Sequence, residues 1–465
     1  MYKTKFSRGI SVQKSVGSIV ENRPTGSMTL AELVLVGVGG IIGAGFFLGS
    51  GLPIRTAGPA VLLAFLAGGF ITMQTTGALN SLAFEHPSEG AFKVYADIYI
   101  GRFMGYLQGW TYYLTSILVI SSEAVASAIF VRLWLPTMPL WLMSSAFAAL
   151  VLLINAFGAK DFSVVESFMS VIKTAALIGF ILVAGMVILG DYTVAGTPAA
   201  TSALRHGGFF PHGFRGLAQS MLIVIFAYAG IGVFATAAVH LRNPKQLDTG
   251  GIATVAMLTG LYLLSIGGIL LLIPWSTVSA QTSPFVQALQ RIQLPAVANM
   301  LNAVILVAAF SVMAGSVFSA NQILISLGEG GEAPRFTAMH SEKRRTPYGA
   351  LATTTVCLAV FIGLSYVLPS TIYELLISSS SFFTFFNWFV ILLTFLVWRR
   401  FNQGKQVSLL AMGQPISTWM TMGLIALLSG YALLDREQRM GFYACLVIAA
   451  LLVIGYFFAP KRQQT

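Results

Sequence analysis

The sequence predicts an all-α polytopic membrane protein. Twelve transmembrane helices form two inverted repeats of five plus two more, with helices one and six broken at mid-depth. Three observations predict it. The 465-residue chain is 56% hydrophobic and 9% charged, against about 25% charged in a soluble domain, and its mean hydropathy is +0.80. Apolar runs of the ~20 residues needed to cross a hydrocarbon core recur along its whole length. Glycine also interrupts two runs lying five spans apart, at Gly39-Gly40-Ile41-Ile42-Gly43-Ala44-Gly45 and at Phe226-Ala227-Tyr228-Ala229-Gly230-Ile231-Gly232. Corresponding interruptions in two halves mark an inverted repeat with its binding site between them.

Residues 1–28 are polar and carry Lys3, Lys5, Arg8, Lys14 and Arg23. No cleavable signal pattern follows, because the first apolar run is long and leads straight into further spans. Spans at 29–52, 59–84, 101–131, 138–156 and 164–189 make the first repeat, 29–189. A loop at 190–215, rich in glycine and aromatic residues, either caps an outer vestibule or serves as a connector. Spans at 216–239, 250–274, 297–327, 347–368 and 371–397 make the second repeat, 216–397. Spans at 415–434 and 440–459 complete the region 398–459, and residues 460–465 form a tail.

Twelve spans put both termini on one side. With that side cytoplasmic, 19 of the 27 Lys and Arg residues lie in cytoplasmic ends and loops. Seven lie outside (Arg55, Arg132, Arg205, Arg215, Arg291, Arg436, Arg439) and Lys173 lies within a span. The bias fixes the orientation by the positive-inside rule. It also explains the net charge of +11, so the charge gives no reason to expect a nucleic-acid partner. Cys357 and Cys445 both fall in apolar spans and form no disulfide framework or metal site.

Each glycine weakens a helix by about 1 kcal/mol relative to alanine. Lipid forbids open backbone unless protein or a watery cavity covers it. A break at mid-depth therefore reads as a site built from backbone. N–H groups at Gly43, Ala44 and Gly45, beside Ile41 and Ile42, suit a carboxylate. Carbonyls near Phe226 and Ala227 suit an ammonium, with Tyr228, Gly230 and Gly232 completing the pocket. Donors for a carboxylate beside acceptors for an amine describe an α-amino acid. The alternative is that these glycines only let helices approach closely.

Lys173 lies about ten residues into span five, ~15 Å deep at 1.5 Å per residue. An intramembrane lysine marks a functional site by default, and this one is placed to reach carbonyls freed by the first break. The competing reading is a structural cation that pins the broken helix. Glu123, in span three beside Ser121 and Ser122, is either a proton carrier or a carboxyl bonded to a neighbouring helix. Glu32, Glu85, Glu89, Asp97 and Glu166 lie near cytoplasmic ends, and Glu374 near an outer end; all are expected to be mostly solvated. No histidine has a partner at metal-ligand spacing, so neither metal nor cofactor is expected.

Taken together, these motifs resemble the amino acid transporter family of the amino acid–polyamine–organocation superfamily. The run Ile42-Gly43-Ala44-Gly45-Phe46-Phe47-Leu48-Gly49-Ser50-Gly51, then Ala57-Gly58-Pro59-Ala60, is similar to the family's first span. His86-Pro87 with Gly90-Ala91-Phe92, and Gly109-Trp110-Thr111-Tyr112-Tyr113 with Glu123, resemble its second loop and third span. Phe209-Phe210-Pro211, Phe226 to Ile231 and Asn243-Pro244 resemble the region of span six. Ser326-Leu327, Gly331 and Ala333-Pro334 resemble the end of span eight, so coverage is essentially full length.

The resemblance implies a LeuT-like fold in the plasma membrane and amino acid uptake or exchange, commonly proton-driven in bacteria. It implies that Lys173 stands where related transporters bind sodium. Four positions depart from the family pattern: Asn80-Ser81, Gly232, His240 and Asn321-Gln322. Gly232 removes charge and bulk beside the pocket, so the expected substrate is a neutral apolar or aromatic L-amino acid. Ser378 to Ser381 with Phe382 and Phe383 either line that pocket or pack.

The chain lacks paired histidine ligands, a phosphate loop and a nucleophile elbow, which argues against an enzyme. The expectation is a secondary active importer working by alternating access, with protons coupled through Lys173, Glu123 or both. Exchange without net proton flux, and an amino acid receptor that moves nothing, are the alternatives. Beyond substrate, protons and the bilayer, the sequence names no partner, and it leaves the oligomeric state open.

Overall fold

In lipid an apolar run satisfies its backbone only by bonding to itself, so these runs fold as helices. The computed structural model describes residues 28–88, 91–156, 162–190, 193–194, 197–198, 208–279, 282–339, 347–368 and 371–458. Readings placed on residues 1–27, Glu89, Gly90, 199–207 with Arg205, and 460–465 lie outside the described residues.

The first span is α1 (Leu30–Ile41), α2 (Ala44–Phe47) and α3 (Gly51–Ala57). A capping box opens α1: Glu32 N–H donates to Thr29 Oγ1, and Thr29 N–H returns a bond to the Glu32 carboxylate at 2.7 Å, satisfying two otherwise orphaned donors. Next come α4 (Val61–Glu85), the short α5 (Ala91–Tyr99), α6 (Arg102–Val131), α7 (Leu140–Ala156) and α8 (Phe162–Leu189). A two-stranded antiparallel hairpin, Thr193–Val194 with Thr197–Pro198, lies in the long loop.

The sixth span is split into α9 (Gly213–Phe226) and α10 (Ile231–Ala238). It is followed by α11 (Leu247–Leu272), the amphipathic α12 (Pro284–Arg291), α13 (Pro295–Glu329), α14 (Tyr348–Val367) and α15 (Ile372–Phe401). Helices α16 (Ile416–Ala432) and α17 (Arg436–Phe458) end the described chain. Among the described residues nine helical stretches are long and apolar enough to cross a membrane, and α1, α7 and α16 are apolar but shorter. The protein is therefore a multi-pass membrane protein whose described residues are helical apart from that hairpin and the connecting segments.

Helix α6 runs through the middle and packs on α13, α15, α7 and α5. Polar side chains fix it in register. Gln108 Nε2 donates to the Asn387 carbonyl, Thr111 Oγ1 to Asn387 Oδ1 at 2.8 Å, and Asn387 Nδ2 to Thr115 Oγ1. At the face carrying Met28, buried Glu332 pairs with Lys93 at 2.8 Å and with Arg102 at 3.6 Å, tying α5 and α6 to the end of α13. There Met28 also bridges Leu241 just beyond α10.

On the opposite face α12 sits over the broken span. Phe285 packs edge-on against Phe46, Phe47 and Phe180, with centroids 4.9–5.3 Å apart. Ser283 Oγ donates to the Phe47 carbonyl at 2.8 Å. Phe46, Phe47 and Phe285 are fully buried. Gly58 is in the left-handed region (φ +61°), and a Cβ there would lie 2.4 Å from Pro211, so the bend after α3 requires glycine.

Candidate functional site

The first break is an opened backbone. Ile42 and Gly43 are extended (φ −76°, ψ 102° and φ −130°, ψ −167°), so the helix stops at Ile41 and restarts at Ala44. The restart leaves N–H groups without helical partners. Glu123 takes two of them: its carboxylate accepts from Ala44 N–H at 2.8 Å and Gly45 N–H at 3.0 Å. It is 2% exposed and reaches in from α6. The glycines make the approach possible, since a Cβ on Gly43 would lie 2.7 Å from the Glu123 carboxylate and one on Gly45 2.3 Å from the Phe226 ring.

A second ionisable cluster lies behind the first half of the same span. Lys173 Nζ donates to the Gly39 carbonyl, and to Ser311 Oγ at 2.8 Å. Its charge is matched by Glu166, 3.5 Å away, and Ser311 Oγ bonds both Glu166 oxygens at 2.6 and 2.7 Å. The sequence reading expected Glu166 to be mostly solvated; it is 1% exposed. Two helical turns separate Glu166 from Lys173, which puts both on one face of α8, turned inward against α1 and α13. A Cβ on Gly39 would lie 1.6 Å from Ser170 Oγ, so only glycine lets α1 approach α8 this closely.

The second break closes on itself. Ala227, Tyr228 and Ala229 N–H donate to the carbonyls of Val224, Ile225 and Phe226, a tightened turn before α10. The Ala227 carbonyl also accepts from Tyr262 O–H at 2.8 Å. The two breaks touch backbone to backbone, as a Cβ on Gly230 would lie 2.4 Å from the Gly40 carbonyl oxygen.

Between the breaks lies a cavity of about 40 Å³. Of the residues expected there, Ile41, Gly45, Phe226, Ala227, Gly230 and Glu123 line it. Ile42, Gly43, Ala44 and Lys173 stand behind that surface. Tyr228 is a correction: it is fully buried and turns away, donating to the Phe65 carbonyl at 2.9 Å. Gly232 is another. A Cβ there would lie 2.0 Å from Tyr112 Oη, so the tyrosine fills the space the glycine leaves. The argument from Gly232 to a large apolar substrate falls with it. Ser378 and Ser379 pack against α17, where Gly441 abuts Ser378 and Ser379 Oγ donates to the Gly441 carbonyl, while Ser381 Oγ donates to the Ile377 carbonyl of its own helix.

Sequence reasoning missed the cavity's long wall. Tyr112, Thr115, Ser116 and Val119 come from α6, and Val312, Ser316 and Ser319 from α13. The signal was present: positions 112, 115, 116, 119 and 123 repeat at helical spacing on one face of span three.

The family model for amino acid permeases matches residues 32–464, so the chain belongs to the amino acid permease family of the amino acid–polyamine–organocation superfamily. It is similar to the uncharacterized transporter YcgH of Bacillus subtilis, at 32% identity over 95% of this chain and 97% of that protein. Against the L-asparagine permease of Streptomyces coelicolor identity is 31%, covering 92% and 89% of the two chains. Against the aromatic amino acid transport protein AroP of Escherichia coli it is 30%, covering 93% and 95%. The solved structure of MhsT in complex with L-phenylalanine aligns with a TM-score of 0.60 at 14% identity, over 88% of this chain and all of that one. That likeness gives the fold, a LeuT-like transporter fold, and the family is one of transporters rather than enzymes.

Proposed function

We propose that this amino acid permease imports a neutral L-amino acid across the cell membrane by alternating access, driven by protons, with both termini cytoplasmic. Amino acid import is the family's activity; the driving ion and the orientation are our reading. The observation that carries it is the Glu123 carboxylate on the amides of Ala44 and Gly45. These are donors that a substrate carboxylate needs.

While Glu123 is ionised, it and a substrate carboxylate compete for the same two N–H groups. Protonation turns Glu123 into a weak acceptor and a donor, which frees the amides. Substrate carboxylate then takes them, so proton and substrate load together. On the cytoplasmic side Glu123 loses its proton, returns to the amides and expels the substrate. Lys173 is the other charge near Glu123, and the phenols of Tyr262 and Tyr373 are also within electrostatic reach. Lys173, matched by Glu166, serves as a fixed cation that holds the first half of span one. It occupies the place of a coupling sodium ion. The asparagine and aromatic amino acid names of the relatives support a neutral side chain.

The test uses the full-length protein in proteoliposomes with labelled neutral L-amino acids and an inward proton gradient. Wild type is expected to accumulate label, and Glu123→Gln to exchange label across the membrane without accumulating it. Accumulation by Glu123→Gln at the wild-type level would remove Glu123 from coupling. Wild-type exchange indifferent to the gradient would favour the exchanger reading.

A further inference from the structure

We infer that the long wall of the cavity selects a small uncharged side chain bearing a hydrogen-bonding group, a hydroxyl or a carboxamide, over an aromatic or branched apolar one. The inference rests on reading the cavity as the amino acid site. It concerns the end of the cavity away from Glu123.

Four hydroxyl-bearing residues, Thr115, Ser116, Ser316 and Ser319, line one cavity. Two have their protons committed: Thr115 Oγ1 donates to the Thr111 carbonyl at 2.7 Å and Ser116 Oγ to the Tyr112 carbonyl at 3.1 Å. Such hydroxyls offer only lone pairs to a ligand. Thr115 spends one on Asn387, while Ser116 has no second partner among the described residues. Ser319 is different. It is 2% exposed, and beyond the adjacent Tyr112 hydroxyl its Oγ has no hydrogen-bond partner among the described residues. Among the buried hydroxyls left this way, Ser319 is the one on the cavity wall, where a ligand group that both donates and accepts would satisfy it.

Size and charge narrow the choice further. Among the described residues no acidic or basic side chain other than Glu123 lines the cavity, which disfavours a cationic or anionic side chain. Tyr112 is held by its stack on Phe92, with centroids 4.5 Å apart, and by the close fit of its hydroxyl at Gly232. It cannot swing to admit a ring without displacing α10. At about 40 Å³ the cavity has room for about three waters, which favours a short side chain over a ring.

The experiment is competition against labelled uptake in proteoliposomes, using near-isosteric pairs: L-threonine against L-valine and L-asparagine against L-leucine. The polar member is expected to compete at least about tenfold better, since a site built to bond a polar group rejects the analogue that lacks it. Ser319→Ala is expected to bring the threonine-to-valine ratio towards one, and Ser316→Ala, measured in parallel, guards against loss of folding in a single variant. A merely structural serine would weaken both amino acids alike and leave the ratio unchanged, which would overturn the assignment. Valine matching threonine, or phenylalanine out-competing both, would overturn it too while leaving import intact. Entry of no amino acid at all would instead sink the import reading, and this inference with it.

Discussion

The two helix breaks occupy corresponding places in the two repeats, yet their backbones are settled in opposite ways. At the first break Ile42 and Gly43 are extended, and the freed groups are taken by side chains from elsewhere: Glu123 on the amides, Lys173 on the Gly39 carbonyl. At the second, the amides of Ala227, Tyr228 and Ala229 bond carbonyls three residues back, and Tyr262 adds a bond to the Ala227 carbonyl. One break is held by charge, the other by geometry. The lesson is that the breaks divide the labour. On the coupling proposed above, the first carries groups whose occupancy depends on protonation, and the second shapes the space beside them.

The largest test of that contrast is Lys173→Met. It leaves Glu166 buried without its cation, a loss of about 3–5 kcal/mol for breaking a buried pair. We expect a large fall in thermal stability in detergent and no uptake. The double variant Lys173→Met/Glu166→Gln should regain most of the stability but none of the uptake. A single variant as stable as wild type would mean that charge does not hold the first break.

A smaller effect is expected from Gly45→Ala. The new methyl lies 2.3 Å from the Phe226 ring, and overpacking of this kind costs about 1–3 kcal/mol. Because the same residue supplies an amide to Glu123, substrate binding by calorimetry should fall further than stability does. Equal losses in both would make the glycine a packing residue only.

The smallest effect is expected at the second break. Tyr262→Phe removes one hydrogen bond and costs about 1 kcal/mol, while its ring still stacks on Phe46 at 3.9 Å. Proton-driven accumulation should persist with an unchanged pH profile. A shifted profile in that variant would blur the distinction between the breaks.

How much of this was legible without coordinates follows the range of each interaction. Hydropathy, glycine density and charge bias are local or additive along the chain. They suffice for the helices, the two breaks and the placing of Lys173 and Glu123 within apolar spans. The stripe Tyr112, Thr115, Ser116, Val119 was equally local, and went unread only because no charge drew attention to it. Glu166 was misjudged for a different reason. Its place near a helix end suggested water, and its burial depends on α1 and α13 closing over it.

Three points belonged to the tertiary structure alone. A broken helix changes phase at the break, so spacing does not say that Phe226 faces the cavity while Tyr228 turns into the scaffold. A glycine opens space only if no neighbour fills it, and Tyr112 fills the space at Gly232. The amides of Ala44 and Gly45 were identified as donors from the sequence, but their occupant comes from a residue 78 positions along the chain. Sequence fixes what each segment offers to its surroundings; which distant group accepts the offer is decided when the helices pack.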